Sequence, residues 1–307
     1  MSDLFVDRLL DAIARKNGAP VCVGIDPIFE NLPDAIAGEK SKRDANDLDS
    51  CLDAIHDFCR GVLETVAPLV PAVKFQSAYF EQYLWEGVEA YYELVQEAKD
   101  LGLLVIGDVK RGDIGSTSEA YANAHLAPLP FPQVEHVNTP DAITINPMLG
   151  MDAIAPFLNI AKETGKGLFV LVRTSNPGSA DFQDAKLQDG RTWSEALADR
   201  LQPEAEAPGF VGASGWANLG AVVGATQPHT IESFRARLPK SIFLLPGYGT
   251  QGATAEMTRN GFRDGKGGLV SASRSVLYPK TTSAEWRGAI ADAARQMVAE
   301  VSQIVPQ

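Results

Sequence analysis

Eight short apolar runs punctuate the chain, at residues 21–25, 70–75, 103–109, 142–145, 168–172, 219–225, 242–245 and 268–271. Most are bounded by Gly, Pro, Asp or Asn, and helical periodicity fills the gaps between them. Val6, Leu9, Leu10 and Ile13 recur at helical spacing before Gly18, and Leu52, Ile55, Cys59, Val62 and Val66 mark the next helix. Further helical patterns cover 79–101, 116–126, 152–164, 192–205, 229–238, a short 254–261 and a last 283–304. Strands alternating with helices predict βα units and a parallel sheet. Strands that are apolar throughout predict burial on both faces. Eight of them favour closure into an α/β fold, the (β/α)8 barrel of the TIM type, over an open sheet. Such a barrel can use the whole of 1–307 as one domain. Residues 29–47 and 127–139 read as loop insertions, and in 206–218 Gly, Ala and Ser blur every pattern.

Charge narrows the function. The chain carries 27 Lys+Arg against 39 Asp+Glu, a net charge of −12. That balance argues against nucleic-acid binding and against an anionic membrane surface, while leaving room for a local basic pocket. No run approaches the roughly 18 apolar residues of a membrane span. The N-terminal residues carry acids and read as a helix rather than a secretory leader. Cys22, Cys51 and Cys59 are odd in number with no C-x-x-C, so neither a disulfide framework nor a zinc ribbon is expected, and a reducing cytoplasmic setting fits. His56, His125, His136 and His229 show no metal-ligand spacing. Trp85, Trp193, Trp216 and Trp286 read as packing residues.

In a barrel of this kind chemistry sits at the C-terminal ends of the strands. Those ends read Asp26, Lys74, Asp108-x-Lys110-x-x-Asp113, Asn146, Thr174-Ser175-Asn176, Thr226-Gln227, Gly247–Gly252 and Ser273-Arg274. Side chains two apart on a strand share a face, so Asp108 and Lys110 should project together while Arg111 points away and Asp113 falls in the loop. Lys110 between two carboxylates would be held as an ammonium, a proton donor rather than a Schiff-base amine. The same cluster could be a structural ion-pair network. Lys74, isolated in an apolar run, needs a partner or a way out to water; Asp26, in Asp-Pro, could cap a turn or pair with Lys74. The glycine loop 247–252 can bring backbone N–H groups to a phosphate, and Arg274 adds a planar cation at the usual barrel phosphate site. A divalent metal between Asp26 and Asp108 would be electrostatically poor beside two lysines.

Taken in order, Asp26 in VGIDP, Lys74 in AVKFQ, the Asp108-x-Lys110-x-x-Asp113 element, Ser175 in TSNPG, Gln251 in PGYGTQG and Arg274 in SASRS resemble the orotidine 5′-phosphate decarboxylase family in its longer bacterial form. The resemblance implies conversion of orotidine 5′-phosphate to uridine 5′-phosphate, without cofactor or metal, in a homodimer with shared active sites. It implies that Asp26 and Lys74 contact the ribose and that Asp108 holds Lys110. Lys110 would stabilise and protonate the carbanion, while Asp113 and Thr117 reach the neighbouring subunit's site. Ser175 would bind the pyrimidine, and Gln251 and Arg274 the phosphate. Two other readings of the residues stay open: a Schiff-base aldolase at Lys110 or Lys74, and a non-catalytic phosphosugar-binding barrel.

Overall fold

The computed structural model describes residues 4–16, 18–38, 47–134, 137–280 and 285–305. Its eight strands are β1 (Val21–Ile25), β2 (Ala72–Gln76), β3 (Leu104–Arg111), β4 (Ala142–Ile145), β5 (Gly167–Arg173), β6 (Ala217–Val223), β7 (Ser241–Pro246) and β8 (Gly268–Ala272). All pairings are parallel, and β8 returns to β1 to close the barrel. The helices are α1 (Phe5–Arg15), α2 (Asp34–Gly38), α3 (Leu48–Val66), α4 (Ala78–Glu81), α5 (Leu84–Asp100), α6 (Gly115–Leu126), α7 (Met151–Thr164), α8 (Ala180–Gln183), α9 (Trp193–Ala205), α10 (Pro228–Arg237), α11 (Arg274–Leu277) and α12 (Trp286–Ile304).

The apolar runs fold as expected because both faces of each strand are covered. Outward side chains such as Val23, Val73, Val105 and Val170 pack under the helices. Inward ones such as Cys22, Ala72, Ile106, Phe169 and Leu244 fill the barrel and meet Phe5, Val6 and Leu9 of α1. α1 therefore plugs the N-terminal end, with Phe5 edge-on to Phe169 at 6.0 Å between centroids. Beside the plug, buried Asp141 accepts from Arg8 at 2.7 Å and from the Val105 N–H at 2.9 Å. Lys99 lies 3.5 Å away from the same carboxylate. This end of the barrel is sealed by packing and ion pairing, which leaves the opposite end to form a cavity.

Several elements differ from the sequence expectation. The helix expected over 79–101 is two helices, α4 and α5, broken where Leu84 takes a φ of +59°. The break lets α5 fold back tightly on α4: a Cβ on Gly87 would lie 2.1 Å from the Phe80 carbonyl. Trp85, expected to pack, is 72% exposed at this corner, whereas Trp216 and Trp286 are buried. β6 starts two residues early, at Ala217, inside the stretch blurred by small residues. The short helix at 254–261 is a 3-10 helix, Glu256–Gly261. The segment 29–47 contains a 3-10 turn and α2. Its residues 39–46, residues 135–136 of the other expected insertion, His136, and the expected start of the last helix at 283–284 lie outside the described residues.

Candidate active site

The C-terminal ends of the strands surround a cavity of about 420 Å³. Seven expected residues line it: Asp26, Lys74, Asp108, Lys110, Ser175, Gln251 and Arg274.

Strand register builds the charged half. Gly24 of β1 lies beside Lys74 of β2, and Gln76 of β2 lies beside Asp108 of β3. That offset brings four donors to one carboxylate. Asp108 Oδ2 accepts from Lys74 Nζ at 2.7 Å and Gln76 Nε2 at 3.1 Å. Its Oδ1 accepts from Lys110 Nζ at 2.6 Å and Thr144 Oγ1 at 2.8 Å. Lys74 Nζ also stands 3.9 Å from Asp26 Oδ1, so the pair suggested by the sequence forms at ion-pair distance. Burial alone would raise the Asp108 carboxyl, but the charges of Lys74 and Lys110 and their hydrogen bonds hold it well below the usual carboxylate range. Burial likewise works against the Lys74 ammonium, and Asp108 and Asp26 more than offset it, so its pKa rises.

Lys110 does project with Asp108, though not by ordinary strand alternation. Its φ is +48°, a left-handed conformation that a residue with a Cβ rarely adopts. The pairing of β3 with β4 shifts register at this point. Two contacts hold the conformation: the Lys110 N–H donates to Thr144 Oγ1 at 3.0 Å, and Nζ donates to Asp108. Strain of this kind persists where the surroundings over-determine it, which is common at functional sites. The Lys110 side chain remains 43% exposed, open to the cavity and to solvent. Arg111 points away as expected, pairing with Glu81 and lying 5.6 Å over the Tyr121 ring.

The other half of the cavity is made by loops. Ser175 follows β5 in a segment held by Arg173, whose buried guanidinium grips Asp184 through two bonds of 2.8 and 2.9 Å. Gln251 lies in the glycine loop after β7, and Arg274 opens α11 after β8. Leu171, Val222, Leu244 and Pro246 supply an apolar wall. On the β1 side, Tyr278 donates to the Asp26 carbonyl at 3.1 Å and accepts from the Ile28 N–H at 2.7 Å, fixing that turn.

Two expected residues lie elsewhere. Asp113 and Thr117 do not line the cavity. The Asp113 carboxylate accepts from the Ile114 N–H at 2.7 Å, and Thr117 is exposed on α6. Within this chain Lys110 therefore meets one carboxylate of its motif, Asp108, and not two. Asn146, noted at the end of β4, accepts from the Met148 N–H and shapes a turn. Gln76, Thr144, Arg173 and Tyr278 were not singled out in the sequence. Gln76 and Thr144 carry a legible signal, since each is a polar residue in or at the end of an apolar run beside a charged strand end. Among the described residues no group of three or more His, Cys, Asp or Glu is gathered to hold a metal ion.

A closed (β/α)8 barrel with lysines and carboxylates interlocked at its catalytic mouth defines an enzyme of the α/β-barrel class. The family model for the orotidine 5′-phosphate decarboxylase / HUMPS family matches residues 20–289, and the chain belongs to that family. Curated relatives include an orotidine 5′-phosphate decarboxylase of Caldicellulosiruptor bescii, 39% identical over 277 residues, or 89% of each chain. One of Rhodopirellula baltica is 38% identical over 273 residues, covering 88% of this chain and 87% of that one. Among solved structures, the OMP decarboxylase of Leishmania donovani superimposes with a TM-score of 0.72 at 31% identity, covering 98% of each chain.

The electrostatics predict an acid-sensitive core. A carboxyl held below its unfolded pKa of about 3.9 contributes stability that is present above that value and lost as pH falls through the folded one. Asp108→Asn should destabilise the protein at pH 7 by about 3 kcal/mol, because Lys74 is left buried beside a neutral amide. It should also flatten the loss of stability below about pH 5. Denaturant unfolding of both proteins from pH 7 to pH 3 measures this, and parallel curves would contradict it.

Proposed function

We propose that this enzyme decarboxylates orotidine 5′-phosphate to uridine 5′-phosphate, the last step of de novo pyrimidine nucleotide synthesis. The observation that carries the reading is the Asp108 carboxylate clamped between two lysine ammonium groups, in a cavity whose far side presents Gln251 and Arg274. The names of the relatives support it.

The residues divide the work by chemistry. Loss of CO2 from C6 leaves an electron pair in the plane of the pyrimidine ring, where the ring's π system cannot absorb it. A preorganised cation aimed at that carbon lowers the barrier, and Lys110 is the cavity lysine held in place on a strained backbone. Lys110 Nζ then gives a proton to C6, and its exposed side lets solvent return one. Asp108 keeps Lys110 oriented through the bond from Nζ to its Oδ1. Asp26 Oδ1 is buried with no hydrogen-bond partner, which suits it to accept from a ribose hydroxyl beside Lys74. Ser175 and the apolar wall take the pyrimidine. Gln251, the glycine loop and Arg274 take the phosphate, and binding energy won there aligns the ring over Lys110.

The same reading makes the enzyme a homodimer that completes each site from both chains. Asp113 and Thr117 are not among the residues that line their own cavity. Around them stand exposed apolar side chains, Ile114 at 59%, Met148 at 67% and Leu149 at 53%. The two loops that carry them are joined where the Asn146 N–H donates to the Arg111 carbonyl at 2.8 Å. Such a patch suits a self-complementary interface.

Two measurements test these statements. Purified protein with excess chelator should consume orotidine 5′-phosphate, followed spectrophotometrically, and release one CO2 per uridine 5′-phosphate. No turnover, or turnover abolished by the chelator, would overturn the assignment. Asp108→Asn and Asp113→Ala should each be nearly inactive, yet an equal mixture after subunit exchange should recover roughly a quarter of wild-type activity. Half of the dimers would then be mixed, with one intact site in two. Confirmed exchange without recovery would place Asp113 in its own chain's site.

A further inference from the structure

The loop after β7 is built on glycine. Gly247, Gly249 and Gly252 have φ values of +115°, +74° and +87°. Glycine reaches such conformations freely and loses more entropy than other residues when fixed there. The loop closes on itself, with Gly249 N–H donating to the Ala253 carbonyl at 2.9 Å, Ala253 N–H to Gly247 at 3.2 Å and Gly252 N–H to Gly249 at 2.8 Å. Those bonds give the turn a shape and leave its position on the barrel to other contacts.

Tyr248, between two of the glycines, reaches out of the turn. Its phenol O–H donates to Glu300 Oε2 on α12, 52 residues further along the chain. The other Glu300 oxygen accepts from Gln296 Nε2 at 2.9 Å, one turn back on the same helix. Burial, the bond to Glu300 and the carboxylate's charge all push the phenol pKa up, so the donor keeps its proton. Behind the loop lies a second cavity, about 350 Å³, bounded by Tyr248, Gly249, Ser275, Gln296 and Glu300. Ser275 follows Arg274 directly, and its Oγ is buried with no hydrogen-bond partner. A Cβ on Gly249 would lie 2.7 Å from that oxygen. The turn that carries Gln251 thus sits directly on the segment that carries Arg274, with open space on the side that Tyr248 spans.

We propose that the Tyr248–Glu300 hydrogen bond is a positioning device for phosphate recognition, tethering the glycine turn to the C-terminal helix so that Gln251 and Arg274 meet the phosphate as one preorganised group. The inference rests on the reading of Gln251 and Arg274 as the phosphate grip. Without the tether, the void behind the loop gives the turn room to settle away from Arg274. A ligand must then reorder it, at a cost that falls on phosphate-bearing ligands alone.

The test uses full-length Tyr248→Phe, Glu300→Leu, Glu300→Gln and the double variant Tyr248→Phe/Glu300→Leu, with uridine 5′-phosphate and uridine as calorimetric ligands. Tyr248→Phe and Glu300→Leu should each weaken uridine 5′-phosphate about tenfold and change uridine by less than about twofold. The double variant should be no worse than either single one, and Glu300→Gln, which keeps an acceptor oxygen, should stay near wild type. kcat/KM for orotidine 5′-phosphate should fall in parallel with uridine 5′-phosphate affinity. Equal losses on both ligands, additive losses in the double variant, or an unchanged Tyr248→Phe would overturn the tether while leaving the phosphate reading standing. A wild-type protein that binds uridine 5′-phosphate no more tightly than uridine would overturn the phosphate reading, and the tether with it.

Discussion

One carboxylate organises the mouth of this barrel. Asp108 accepts from Lys74, Gln76, Lys110 and Thr144, so every lone-pair direction of a buried anion is used. Burying such a charge is costly, and a buried pair adds stability only when its geometry is good and the remaining acceptors are satisfied. Here the donors come from three adjacent strands, β2, β3 and β4, and the register of a closed barrel sets their spacing. The positive φ at Lys110 depends on the same group, because Thr144 binds both the Lys110 N–H and Asp108. Removing Asp108 therefore disturbs Lys74, the Lys110 side chain and the Lys110 backbone together.

Around that carboxylate the barrel divides its labour. Strands β2 to β4 and the end of β1 present the polar array of Lys74, Asp108, Lys110, Thr144 and Asp26, where a displacement of a few tenths of an ångström would be felt by several partners. Segments after β5, β7 and β8 complete the cavity with Ser175, Gln251 and Arg274. Arg173 with Asp184 braces the Ser175 segment, and Tyr248 with Glu300 braces the glycine turn. In the proposed function the chemistry stands on strands and the specificity on loops, which suits a site that must admit a ligand and then enclose it.

Most of this was legible in the sequence, for identifiable reasons. Apolar runs gave the eight strands because burial on both faces leaves no place for polar residues. Strand ends gave the charged residues because the chain becomes polar there. Where the signal depended on tertiary context it was weaker. The division of the 79–101 helix turns on a close approach at Gly87, and Trp85 looks like a core residue until its exposure is seen. Gln76 and Thr144 are visible as polar residues in or at the end of apolar runs, but the group they serve, Asp108, is set by the register that places it beside them. The motif marks Asp113 as a candidate site acid, while its position outside the lining of its own cavity needed the structure. Glu300 is an ordinary helix carboxylate until α12 packs behind the glycine turn.

The proposed chemistry rests on Lys110 as the cation that meets the carbanion and protonates it. The most direct measurement is kcat of Lys110→Ala at saturating orotidine 5′-phosphate, on protein whose cooperative unfolding matches wild type. Loss of both the preorganised charge and the proton donor should lower kcat by at least about a thousandfold. A variant that kept more than about a tenth of wild-type kcat, a change in barrier under about 1.4 kcal/mol, would show that the chemistry lies elsewhere in the cavity.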